Sequence, residues 1–226
     1  MYQTLKKLLP SQVKNALWRV LLKIAKNKLV DTYNKIPVYT LQEKHIKNLK
    51  VLTDRNQLLN LMPKHGTVAE LGVDKGNFSQ LIIDTCKPSR LHLIDVWNTK
   101  RYHTGLKLDI EKKFKTLISN DIIKINYGYS IDAVTNFQNN YFDWIYIDTD
   151  HTYKTTIAEL ELYAPKIKPG GIIAGHDFIM GNWTGMMKYG VIEAVYEFCF
   201  KNDWEIIYIT ADIKEFPSFA IRKIEE

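Results

Sequence analysis

The sequence predicts an α/β fold: a doubly wound, mostly parallel sheet that ends in an antiparallel hairpin and follows a helical N-terminal extension. Three observations predict it. Five short β-rich runs, TVAEL (67–71), LHLID (91–95), IIKINY (122–127), WIYID (144–148) and GIIAGHD (171–177), are each followed by a stretch that suits a helix. Strands alternating with helices give a parallel sheet covered on both faces. Two late runs, WEIIYIT (204–210) and FAIRKI (219–224), stand a short loop apart, as the strands of an antiparallel hairpin do. In SQVKNALWRVLLKIAKNK (11–28), Val13, Leu17, Val20 and Ile24 recur at helical spacing, with Ala16 and Leu21 widening the stripe and lysines elsewhere.

Taken in chain order, Ser11 after Pro10 is placed to cap the first helix, and a second helical stretch, 48–61, ends at MPKHG. The division expected from this is an N-terminal helical arm over residues 1–60 and a catalytic-type body over 61–226. With 226 residues and 46% hydrophobic content, the chain can bury a full core. Cys86 and Cys199 lie far apart in apolar surroundings, which gives neither a metal-type spacing nor a disulfide framework and points to a reducing compartment, the cytoplasm.

The net charge of +6 is concentrated at one end. Residues 1–30 hold seven Lys/Arg and no acid; the rest of the chain carries 24 basic against 25 acidic residues. The body therefore shows no sign of nucleic-acid affinity, and the basic excess belongs to the arm. Two roles suit the arm helix. It packs on the body or on a second subunit of a homo-oligomer, or it rests on an anionic membrane surface. No apolar run approaches the roughly 20 residues that span a bilayer, and the arm lacks the features of a secretory signal.

In open α/β sheets ligands bind beyond the carboxyl ends of the strands, where strand order reverses. The first of the five strands ends in ELGVDKGNFS, in which Gly72 and Gly76 allow a tight turn and a close backbone approach. The next ends in Asp95, where a carboxylate suits the vicinal hydroxyls of a ribose. Glu70 beside the loop would repel a pyrophosphate and favour a cationic ligand. Together these point to a nucleoside without phosphates.

VAELGVDKGNFS, LHLIDVW, YFDWIYIDTDHTY, LYAPKIKPGGIIAGHDF and YGVIEAVYEFC, in this order and spacing, resemble class I S-adenosylmethionine-dependent methyltransferases, whose fold is Rossmann-like. More narrowly they resemble the branch of macrocin- and mycinamicin-type sugar O-methyltransferases, with catechol-type relatives. The resemblance covers roughly residues 60–210. It implies that Glu70, Gly72 and Gly76 form the methionine-side loop, that Asp95 holds the ribose, and that Tyr129 and Ser130 flank the adenine. Asp74 departs from the small or aromatic residue that many such enzymes show at its place.

Asp148 ends one strand, and Asp177, after His176, ends the next; neighbouring parallel strands thereby bring two carboxylates together as a divalent-cation site in outline. Carboxylates with water suit magnesium or manganese. Asp148 and Asp177 are the expected metal ligands with His176 as a third, which tilts the preference towards manganese. His151 is the expected catalytic base, since an imidazole with an ordinary pKa of about 6.5 accepts a hydroxyl proton at neutral pH. The Asp148-x-x-His151 spacing matches the resembled sugar methyltransferases, where the histidine has this role; the plainer reading is that His151 caps the following helix or orients an acid. His65 and His92 read as surface or packing residues. His103 and Trp183 lie on loops that would face a substrate.

These expectations describe an O-methyltransferase acting on a hydroxyl of a sugar, glycan or other small polyol. Two other readings stand beside it: a cephalosporin-hydroxylase-like relative with different chemistry, and a non-catalytic nucleoside-binding or scaffold protein.

Overall fold

A computed structural model describes residues 10–98, 104–182, 184–185 and 187–225. It divides into two units, Met1–Pro37 and Val38–Glu226. The first contains α1, Ser11–Asn34, the helix that the apolar spacing predicts.

The second unit is built on one eight-stranded sheet. Its strands are β1 (Lys50–Leu52), β2 (Thr67–Leu71), β3 (Arg90–Asp95), β4 (Ile123–Tyr127), β5 (Phe142–Ile147), β6 (Ile167–Gly175), β9 (Trp204–Thr210) and β10 (Phe219–Lys223), in the spatial order β1-β9-β10-β6-β5-β2-β3-β4. β10 runs antiparallel to both β6 and β9, and the other pairings are parallel. The hairpin predicted from the last two runs is therefore built into the sheet. Strand order reverses at β2, which has β3 on one side and β5 on the other.

Helices cover both faces because the strands alternate. Ala69 and Leu71 of β2 join Ile145 and Ile147 of β5 in one core, beneath α7 (Tyr153–Tyr163) and α8 (Val191–Asn202). Val68, Trp144 and Tyr146 point the other way. They meet α2 (Arg55–Leu61), α3 (Asn77–Cys86), α4 (Thr104–Lys113) and Phe114, which precedes the short α5 (Lys115–Ser119). A short helix, α6 (Ser130–Ala133), follows β4.

Two expectations need correcting. The stretch 48–61 is not one helix: Lys50–Leu52 pairs with β9, and Asp54 then caps α2 by accepting the Gln57 N–H at 2.8 Å. The body accordingly begins at Val38 rather than residue 61, because β1 and α2 are part of its sheet and its core. The connection after β6, expected as a substrate-facing loop, contains a small hairpin of β7 (Gly181–Asn182) and β8 (Met187–Lys188).

Candidate functional site

The glycine turn after β2 is fixed by its neighbours. Gly72 has φ 85°, and a Cβ on it would stand 1.9 Å from the carbonyl oxygen of Asp148. Only glycine fits both the left-handed backbone and that approach. The Asp148 N–H donates to Leu71 O at 2.7 Å, which locks the end of β5 against the turn. Gly76, at φ 66°, opens α3.

Asp74 occupies φ 50°, a region that Asp tolerates better than most residues. Asp95 braces it: Oδ2 accepts the N–H groups of Val73 at 2.8 Å and Asp74 at 3.1 Å, and Oδ1 accepts that of Trp97 at 3.2 Å. Part of the carboxylate expected for a ribose thus shapes the loop, with acceptor capacity left over. Trp97 is fully buried and donates its indole N–H to Asp74 O at 3.4 Å.

Glu70 points under α3, where Ser79 donates to it at 2.5 Å. Burial pushes its carboxyl up to about 8; the Ser79 bond opposes the rise, the nearby Asp148 and Asp95 add to it, and Arg55 opposes it. Raised this far, Glu70 is largely protonated at pH 7, so the acids left to favour a cation at this end of the sheet are Asp74, Asp95 and Asp148. That electrostatic character fits a sulfonium or ammonium ligand.

Tyr129 is 57% exposed at the start of α6. The Ser130 hydroxyl is turned inward, donating to Glu159 at 2.5 Å, and Tyr163 donates to the Ser130 carbonyl at 2.9 Å. Glu159, fully buried, also accepts from Thr149 at 3.0 Å. It therefore ties the turn after β4 to the turn after β5. Sequence reasoning missed Glu159, although Thr156, Leu160 and Tyr163 lie on the same inward face at helical spacing.

At the tips of β5 and β6 the expected acids meet. Ligand atoms of Asp148, His151 and Asp177 all lie within 4.8 Å of one another. His151 Nδ1 donates to Asp177 Oδ2 at 2.9 Å. Both residues have left-handed backbones, φ 60° and 56°, and the turn at His151 folds its ring back onto the neighbouring strand tip. His176, expected as the third ligand, stands outside the converging set. Its N–H still continues the strand pairing to Ile147 O at 2.9 Å, and its Nδ1 is 3.7 Å from Asp148 and 3.5 Å from Asp177.

Burial opposes charge on the Asp177 carboxyl, but His151 and His176 outweigh it and hold the group well below the usual carboxylate range. The His151 imidazole is raised: burial works against its charged form, and the bond and charge of Asp177 more than compensate. Asp148 is raised, chiefly by burial. Asp177 Oδ1 is buried and makes no hydrogen bond, with His176 Nδ1 3.5 Å away. A buried carboxylate oxygen without a hydrogen bond, beside a second acid and imidazole nitrogens, fits a divalent cation. Asp148 and Asp177 are the residues that would hold it, with the His151 ring beside them.

His92 is buried among Phe137, Tyr141 and Phe142, with its Nε2 3.0 Å from Tyr141 Oη. His65 sits in a left-handed turn just before β2. His103 and Trp183 fall outside the described residues.

Comparison with known proteins agrees with this fold. Residues 69–178 match the family model described as a methyltransferase domain, and no curated protein matches the sequence. The fold is similar to an O-methyltransferase from Bacillus cereus in complex with SAH (TM-score 0.56, 14% identity, 88% of this chain and 90% of that one). It is also similar to the tRNA methyltransferase TrmK of B. subtilis (TM-score 0.55, 15% identity, 77% and 67%). The pyocyanin biosynthetic protein PhzM shares it too (TM-score 0.56, 10% identity, 75% of this chain), though the match spans only 54% of that chain's length. At such identities the likeness is one of fold. The stretch from the glycine turn to the paired strand tips matches a methyltransferase domain and lies in a Rossmann-like sheet.

Proposed function

We propose that the protein transfers the methyl group of S-adenosylmethionine to a hydroxyl oxygen of a sugar, glycan or other small polyol. The observation that carries this reading is the 2.9 Å bond between His151 and Asp177 beside a strand tip pressed against the glycine turn. It supports a reading in which His151 serves as base beside a sulfonium nucleoside. The acceptor oxygen forms its new bond to the methyl carbon as the carbon–sulfur bond breaks, giving a methyl ether and S-adenosylhomocysteine.

The hydroxyl proton goes to His151 Nε2, the ring nitrogen left available because Nδ1 is held by Asp177. Asp177 fixes the tautomer and stabilises the imidazolium that forms. A divalent cation held by Asp148 and Asp177 would supply a Lewis acid that eases loss of the hydroxyl proton. The glycine turn, braced by Asp95, aligns the methyl donor; holding three reacting atoms in line is worth much of the barrier. Both cysteines are free and buried, which suits activity in the cytoplasm.

Calorimetry with S-adenosylmethionine, followed by turnover on a panel of polyols, tests the reading. Binding to the wild type and to His151→Ala should agree within about threefold, while turnover of the variant falls at least about 100-fold. A protein that does not bind the cofactor, or that methylates nitrogen and not oxygen, contradicts the proposal.

A further inference from the structure

We propose that α1 is an in-plane anchor that rests on an anionic lipid surface. Five large apolar residues of this 24-residue helix, Val13, Leu17, Val20, Leu21 and Ile24, are 42% to 60% exposed. At about 100° per residue they share one arc, and Arg19, Lys23 and Lys26, spaced i, i+4, i+7, fall on the opposite side. Trp18, 54% exposed, borders the apolar arc, while Leu22, 49% exposed, lies beyond it towards Lys26. Tryptophan at such a boundary suits the headgroup level of a bilayer.

Charge decides between the occupants of that stripe. Helix α1 carries Lys14, Arg19, Lys23, Lys26 and Lys28 against the single acid Asp31, so a second copy of the helix would bring an excess of cations to cations. A leaflet with anionic headgroups supplies the missing countercharge. The residues beyond position 30 carry 24 basic and 25 acidic side chains, so the attraction resides in the arm alone.

Lys14 separates lipid from a shaped protein groove. It lies at the edge of the apolar arc, between Leu21 and Trp18 in angular order. A rigid groove would have to bury its ammonium, whereas at a lipid interface the stem stays apolar and the charge reaches the headgroups. Among the described residues no helix is long and apolar enough to cross a membrane, which leaves the helix lying on the surface and not through it.

Cosedimentation of the full chain with vesicles tests this, using phosphatidylcholine alone and phosphatidylcholine with about one third phosphatidylglycerol. Binding to the anionic vesicles should be at least about tenfold tighter at low salt, and weaken as salt is raised. The triple variant Arg19→Glu, Lys23→Glu, Lys26→Glu should lose at least about tenfold of that binding. The pair Leu17→Ser, Leu21→Ser should lose a similar factor, with the melting temperature of the protein unchanged. Equal binding to neutral vesicles, or binding indifferent to the charge reversal, overturns the proposal. So does a chain that ignores both vesicles and drops to half its mass in solution when Leu17 and Leu21 are replaced, since the stripe would then join two copies.

Discussion

The carbonyl oxygen of Asp148 stands 1.9 Å from the point that a Cβ on Gly72 would occupy. The end of the strand carrying the acids and the turn that would hold the cofactor are thus a single contact. A methyl group at position 72 has backbone on the other side, which cannot rotate away, and φ 85° adds strain for any L-residue. Gly72→Ala should lower the unfolding free energy by at least about 3 kcal/mol. Gly185→Ala is the control, because its nearest neighbours are side-chain atoms at 3.7 Å; it should change stability by no more than about 0.5 kcal/mol. Denaturant titration of both variants provides the comparison, and equal stabilities would contradict the contact.

The His151–Asp177 pair makes a separate prediction about chemistry. Asp177→Asn keeps the shape of the side chain but weakens its hold on the imidazole and offers a poorer ligand for a cation. Turnover should fall at least about 100-fold, with cofactor affinity within about threefold of the wild type. His176 stands outside the converging ligand atoms, so His176→Gln should reduce turnover by less than about tenfold. Steady-state kinetics on the three proteins checks the ranking; a larger loss for His176→Gln than for Asp177→Asn would reverse the roles assigned here.

Much of this architecture was legible because its strands announce themselves. TVAEL and WEIIYIT are the strands β2 and β9 to the residue, since β-branched and aromatic residues there are bounded by turn formers. β1 was hidden for the opposite reason. Three residues show no period, and Lys50–Leu52 is a strand only because β9, distant in sequence, lies beside it. Strand ends likewise foretold that Asp148 and Asp177 would meet. Which histidine joins them depends on left-handed turns at two non-glycine residues, His151 and Asp177, and no local sequence signal demands those.

Asp74 offers a test of the same kind of backbone. Its main-chain N–H bonds Asp95 and its carbonyl accepts from Trp97, contacts that a glycine keeps. At φ 50° the Cβ is a cost, set against the extra freedom of glycine in the unfolded chain. Asp74→Gly should therefore leave stability unchanged or raise it by up to about 1 kcal/mol, with cofactor affinity within about threefold. A loss of more than about 1 kcal/mol would mean that the Asp74 side chain makes a contribution of its own.

Glu159 predicts a pH dependence of stability. Burial raises its carboxyl to about 7 from an ordinary value of 4.5, against the opposing bonds from Ser130 and Thr149. Between those values the folded chain binds more protons than the unfolded one, so this group's contribution is full below about pH 4.5 and declines as pH rises towards 7. A shift of this size is worth roughly 3 kcal/mol. Glu159→Gln keeps an acceptor for Ser130, and the Thr149 hydroxyl can rotate to accept from the amide, so the fold should survive. The difference in unfolding free energy between the variant and the wild type should move in favour of the variant by about 2 to 3 kcal/mol from pH 4.5 to pH 8. Urea titrations at both values measure it. A difference that stays flat across that range would show that Glu159 ionises in the folded protein as readily as it does in the unfolded chain.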